Sequence, residues 1–103
     1  MKLWIDDLRT PPGDIFDEWA WCKSVYTAEI LIEAQEEANN LVELIDIDHD
    51  AGEYAQYGGD YIKLLDWLEE TGRNYPIRIH SMNSVGVENM RRIIERNGWT
   101  EVK

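Results

Sequence analysis

Three short apolar runs in the sequence finish in residues that can bind a cation or move a proton. Lys2-Leu3-Trp4-Ile5 ends in Asp6-Asp7, Leu44-Ile45-Asp46-Ile47 ends in Asp48-His49-Asp50, and Ile77-Arg78-Ile79 ends in His80-Ser81. Two adjacent carboxylates on one strand end, with a third on its neighbour, are a usual way to hold Mg²⁺, a hard cation that takes oxygen ligands and bridges to phosphate. Asp6, Asp7 and Asp48 are the predicted metal ligands. His49 and His80 are the only histidines, and each adjoins one of these endings. Two imidazoles near neutral pH could supply the base and the acid that open a cyclic phosphodiester in line. His80 is the better catalytic candidate because its strand end carries no acid of its own, with His49 as its partner and Asp50 placed to orient an imidazole or a metal-bound water.

Ser81 and Asn83 offer hydroxyl and amide donors to an anion, and Ser84 leads into the first free N–H groups of the last helix. Arg9 follows the acidic pair closely enough to neutralise phosphate charge at the same rim. Taken singly, each of these residues has an ordinary structural explanation, since acids solvate turns and a lone histidine is usually hydrogen-bonded in place. Their coincidence at three strand ends is what points to a site. In open α/β sheets the ligand lies beyond the carboxyl ends of the strands, so the endings converge if the three strands lie side by side.

The elements that must position them follow from hydrophobic periodicity. Pro11-Pro12-Gly13 makes the segment after Asp7 a loop over the site. One irregular turn is expected over 14–18, then a second strand over 19–23. Ser24 and Thr27 are both suitable N-caps for a helix carrying Ile30, Leu31, Ala34 and Ala38 and ending near Asn39-Asn40. Residues 41–47 form the next strand, and its nearly continuous apolar character suits the middle of a parallel sheet. Asp46 interrupts it on the face of Asp48, and is best explained as an acid supporting the site from behind.

Residues 51–59 have no clean period and read as a loop whose Tyr54 and Tyr57 either stack on a base or cover the domain edge. Asp60 caps a helix with Tyr61, Leu64, Leu65 and Leu68 at i, i+3, i+4 and i+7, closed by Gly72. A last helix runs from about Val87 to Asn97 with Gly98 as its stop, and 99–102 form a short terminal strand. The order β-β-α-β-α-β-α-β predicts a compact α/β domain over 1–103. It has an open, mostly parallel five-stranded sheet, three helices distributed over both faces, and a loop in place of the first helix.

Composition narrows the function. With 44% hydrophobic residues the chain is globular, and at 103 residues it has room for one core. A formal net charge of −11 repels long nucleic-acid duplexes and anionic membranes. The partner is therefore expected to be a small phosphate-containing ligand or an RNA end, and its charge requires a metal or a local donor cluster. No apolar run approaches the roughly 20 residues of a membrane span, and a cytoplasmic location is expected. Cys22 alone cannot form an internal disulfide and reads as a packed thiol.

Trp4-Ile5-Asp6-Asp7-Leu8-Arg9, Ile47-Asp48-His49-Asp50 and Ile77-Arg78-Ile79-His80-Ser81-Met82-Asn83 together resemble the cyclic-phosphate processing receiver-like family, a branch of the receiver superfamily. The resemblance implies a receiver (flavodoxin-like) fold. It matches Asp6 and Asp7 to the receiver metal-binding acids, Asp48 to the phosphorylated aspartate and Ser81 to a small hydroxyl residue. The histidines, and the lack of a Lys-Pro ending after the last strand, depart from a phosphorelay switch. The expected activity is metal-assisted, phosphoesterase-like processing of a cyclic phosphate, either a 2′,3′-cyclic RNA end or a cyclic nucleotide. The alternatives are a non-catalytic phosphoacceptor switch or binding module, and an acidic interaction protein.

Overall fold

The computed structural model describes residues 1–13 and 19–103, so the turn expected over 14–18 lies outside the described residues. The elements are β1 (Lys2–Ile5), β2 (Trp19–Cys22), α1 (Val25–Glu37), β3 (Leu44–Ile47), a 3₁₀ helix (Gly52–Tyr57), α2 (Ile62–Glu70), β4 (Ile77–Ile79) and α3 (Ser84–Asn97). All pairings are parallel, in the order β2-β1-β3-β4. The three strands with reactive endings are therefore neighbours, with β3 between β1 and β4.

Among the described residues the sheet has four strands, not the five expected. The segment after α3 meets β4 through a single parallel bridge between Ile77 and Glu101. Ile77 donates its N–H to Thr100 O at 3.0 Å and accepts from Val102 N–H at 2.8 Å. Competing packing limits the pairing: Trp99 is buried in the core, and the Glu101 carboxylate is held by Arg91 of α3 at 2.9 Å. The β3 strand is also shorter than expected, because Leu41 is exposed and Glu43 N–H is already spent on Met1 O.

The helices form one layer rather than two. Both β2-α1-β3 and β3-α2-β4 step across the sheet in the same direction, so right-handed crossovers leave α1 and α2 on one face, and α3 packs against α2. Leu3, Ile5, Ile45, Ile47 and Ile77 point to that face and are fully buried with Val25, Ala28 and Ile32 of α1, Leu64, Leu65 and Leu68 of α2, and Met90 and Ile94 of α3. Alternation sends Trp4, Trp19, Trp21, Asp46 and Arg78 to the opposite face. Trp4 is buried yet stands apart from the main core cluster. Cys22 is buried on the helix side, and desolvation pushes its thiol up to about 11, as expected of a packed, unreactive cysteine.

Local caps decide several boundaries. Ser24, not Thr27, caps α1: its Oγ accepts Thr27 N–H at 3.1 Å and donates to Thr27 Oγ1 at 2.9 Å. The buried stripe is Val25, Ala28 and Ile32, and Ile30 lies off it at 69% exposed, so the expected stripe of Ile30, Leu31, Ala34 and Ala38 is not the one that faces the core. Asp60 does not cap α2; its carboxylate accepts Ala51 N–H at 3.0 Å and ties down the 3₁₀ segment. The stripe Tyr61, Leu64, Leu65, Leu68 is fully buried as its spacing requires. Among the described residues no helix is long and apolar enough to cross a membrane. Replacing Ser24→Ala removes the α1 cap and is expected to cost about 1 kcal/mol in urea unfolding, with Thr27→Ala costing less. Equal losses would place the cap at Thr27.

Candidate functional site

Parallel register explains why the three endings meet. Trp4, Asp46 and Arg78 are side-by-side partners on β1, β3 and β4. Two residues further along each strand, on the same face, come Asp6, Asp48 and His80. One ligand atom from each of these three lies within 4.8 Å of the others.

His80 sits at the centre. Its Nδ1 is 2.7 Å from Asp46 Oδ1 and its Nε2 is 2.9 Å from Asp6 Oδ2. An imidazolium, donating at both nitrogens, satisfies two ionised carboxylates at once. Burial alone would lower its pKa, but the bonds to Asp46 and Asp6 outweigh desolvation and raise it above the ordinary value. The ring is stacked on Trp4, with centroids 3.8 Å apart and planes 2° from parallel. Trp4 is held in turn by its Nε1–H, which donates to Arg9 O at 2.7 Å, and by an edge contact with Trp19 at 5.6 Å.

Asp6 and Asp46 are buried acids, 0% and 1% exposed. Burial would raise the Asp6 pKa, but N–H donors from Leu8 at 2.9 Å and Arg9 at 3.0 Å, together with His80, lower it below the usual carboxylate value. Asp46 also accepts from Arg78 Nη1 at 3.2 Å. Asp7 behaves oppositely: burial first, then the charges of Asp6 and Asp48, raise its pKa. The ligand atoms that come together at this point are those of Asp6, Asp48 and His80; Asp7, expected as a third acidic ligand, lies outside that group among the described residues. Gly52, at φ 55°, leaves room for Asp7, since a Cβ there would lie 2.5 Å from Asp7 Oδ2. Asp48 accepts His49 N–H at 2.7 Å through Oδ1. Beneath the cluster, buried Tyr61 donates its hydroxyl to Lys23 O at 2.8 Å; desolvation, then the nearby carboxylates, push its ionisation far up.

The other predicted residues fall around this centre. His49 and Asp50 form a separate couple, Nδ1 to Oδ1 at 2.9 Å, with Asn83 Nδ2 3.4 Å from Asp50 Oδ2. The His49 ring is seated on Gly86, where a Cβ would come within 2.5 Å of it. Asn83 is committed on its other side, since Oδ1 caps α3 by accepting Gly86 N–H at 2.9 Å. Ser81 Oγ accepts Asn83 N–H at 3.1 Å, and Ser81 borders a cavity of about 470 Å³ with Met82, Val85 and Arg91 rather than with the acids. Arg9 contributes backbone contacts to Asp6 and Trp4 while the residue itself is exposed. Trp4 and the Gly52 and Gly86 clearances escaped the residue-by-residue reading. The even spacing of Trp4 from Asp6 was the available signal for the first.

A parallel sheet ordered β2-β1-β3-β4, with an acidic pair after its first strand and an aspartate after its central one, defines a receiver-type α/β domain. The chain belongs to the cyclic-phosphate processing receiver domain family, whose model matches residues 1–96. No curated protein and no solved structure matches it.

The pH dependence of the metal-free protein follows from two opposed shifts. Stability from His80 is complete below its unfolded value of 6.5 and is lost as pH rises through the raised folded value. Stability from Asp6 is complete above 3.8 and is lost as pH falls through the lowered folded value. Asp7 acts in the acid range: its contribution is complete below 3.8 and is lost as pH rises through its raised folded value. Urea unfolding should therefore show stability falling as pH rises above 6.5, and His80→Gln should flatten that fall. A decline of equal size in the variant would remove His80 as its cause.

Proposed function

We propose that this receiver domain binds a cyclic phosphate and opens it to a phosphomonoester. The observation that carries this reading is His80 set between Asp6 and Asp46, each ring nitrogen on a carboxylate that favours its protonated form, in one cluster with Asp48. A receiver that only accepts a phosphoryl group has no need of a proton held at that point. In the reaction, water adds to phosphorus, one ring P–O bond breaks, one proton leaves the water and another reaches the departing oxygen. His80 is the proton donor. His49, with Nδ1 2.9 Å from Asp50 Oδ1, would take the water proton at Nε2 when Nδ1 carries the hydrogen.

Asp6, Asp7 and Asp48 would hold a divalent cation, Mg²⁺ by the oxygen character of the set, which would neutralise phosphate charge in an otherwise acidic protein. Arg9, Ser81 and Asn83 remain the candidates for contacts with the phosphate oxygens. A nucleoside or RNA-end 2′,3′-cyclic phosphate is the fitting substrate class, because its ester oxygens need no more than a proton to leave. His80→Ala is expected to reduce hydrolysis of 2′,3′-cyclic AMP by about a hundredfold or more, and His49→Ala by a smaller factor. Hydrolysis by His80→Ala at the rate of the intact protein would sink the catalytic assignment.

A phosphoacceptor switch is the second reading, favoured by Asp48 Oδ2, which has no hydrogen-bond partner among the described residues. Acetyl phosphate with Mg²⁺ would then add a phosphoryl mass to the intact protein and not to Asp48→Asn. Turnover of the cyclic substrate without any such adduct decides for hydrolysis.

A further inference from the structure

We infer that the groove between the start of α1 and the 3₁₀ helix is a nucleobase subsite for the ligand whose phosphate occupies the acidic cluster. The inference rests on the cyclic-phosphate reading and specifies what the phosphate is attached to. The groove has a volume of about 320 Å³ and is lined by Lys23, Tyr26, Thr27, Ile30, Tyr54 and Tyr57. That lies at the lower end of the roughly 300–1,000 Å³ of small-molecule sites.

Its walls are unlike the rest of an acidic surface. Tyr26, Ile30 and Tyr57 are 56%, 69% and 49% exposed, side by side, so a ligand with flat apolar faces would find a ready surface. The Tyr54 and Tyr57 rings stand 6.4 Å apart and tilted by 46°, offering two ring faces and phenolic hydroxyls within reach of base edges. Nucleobases combine those requirements, and aromatic stacking of this kind holds any of them. Lys23 adds positive charge, its Nζ lying 4.6 Å from the Trp21 ring centroid and 5.8 Å from that of Tyr54.

Position links the groove to the acids. The 3₁₀ helix begins at Gly52, against the Asp7 carboxylate, and reaches the groove two residues later at Tyr54. Lys23 follows β2 directly, and its carbonyl is bonded to Tyr61, which feels the charges of Asp7, Asp6 and Asp48 as well as Tyr54. Base and phosphate would thus lie along one rim, at the carboxyl ends of β2 and β1.

The test compares calorimetric affinities, with Mg²⁺ present, for 2′,3′-cyclic AMP, adenosine and glycerol 1,2-cyclic phosphate, which has no base. The intact protein should bind 2′,3′-cyclic AMP about tenfold or more tighter than the glycerol ligand, with Tyr57→Ala and Tyr26→Ala each removing much of that advantage and leaving the glycerol ligand unaffected. Tyr57→Trp should retain it. Equal affinity for the two cyclic phosphates, or an advantage indifferent to both alanine variants, overturns the subsite while leaving the phosphate reading intact. Adenosine binding lost in Tyr57→Ala, with no contribution from the cyclic phosphate, supports the groove and overturns the phosphate reading instead. Failure of both adenosine and 2′,3′-cyclic AMP to bind overturns the subsite, as does sedimentation showing a dimer that Tyr57→Ala dissociates.

Discussion

The site depends on one arrangement: a single histidine ring shared by two carboxylates that the sheet has buried. Asp6 and Asp46 sit on the two central strands with almost no access to water, where an unpaired charge would be severely destabilising. His80 reaches both from β4, and Trp4 fixes the plane of its ring. Such a network specifies register as well as charge. Sliding β4 by one residue against β3 would bring an isoleucine into the row of acids and turn His80 towards the hydrophobic layer.

The surrounding scaffold is a receiver with an uneven distribution of helices. Because the first two strands are joined without a helix among the described residues, all three helices cover one face. The other face carries tryptophans, with Lys2 over Trp19 at 5.4 Å and Lys23 over Trp21. Large rings here do part of what a helix would do, shielding the acids from one side while leaving the strand ends open. The polar site and its apolar support are thus built from the same alternating strands.

Much of this was legible in the sequence. Four of the strands, the three helices and the meeting of Asp6, Asp48 and His80 follow from short apolar runs, helical spacing and the parallel-sheet rule. The number of layers was not legible from local pattern, because it depends on strand order and on the direction of each crossover. The terminal strand failed for a tertiary reason, since Trp99 and the Arg91–Glu101 pair compete with pairing along β4. Asp60 has the right chemistry for a cap but is drawn to Ala51 instead. The expected histidine pair resolves into two centres, one around His80 and one around His49 and Asp50, because alternation places only the first in the row of acids. Ile30 looked like a core position, but the face that α1 turns to the sheet is that of Val25, Ala28 and Ile32.

The face-to-face contact of Trp4 and His80 also gives the domain an internal optical gauge. A protonated imidazole in van der Waals contact with an indole quenches its excited state, whereas a neutral one does so weakly. Of the five tryptophans, Trp4 alone among the described residues stacks on a histidine. The emission of the unlabelled chain therefore carries a component that brightens when His80 gives up its proton. A ligand that displaced that proton would be readable in ordinary fluorescence, without a dye and without turnover.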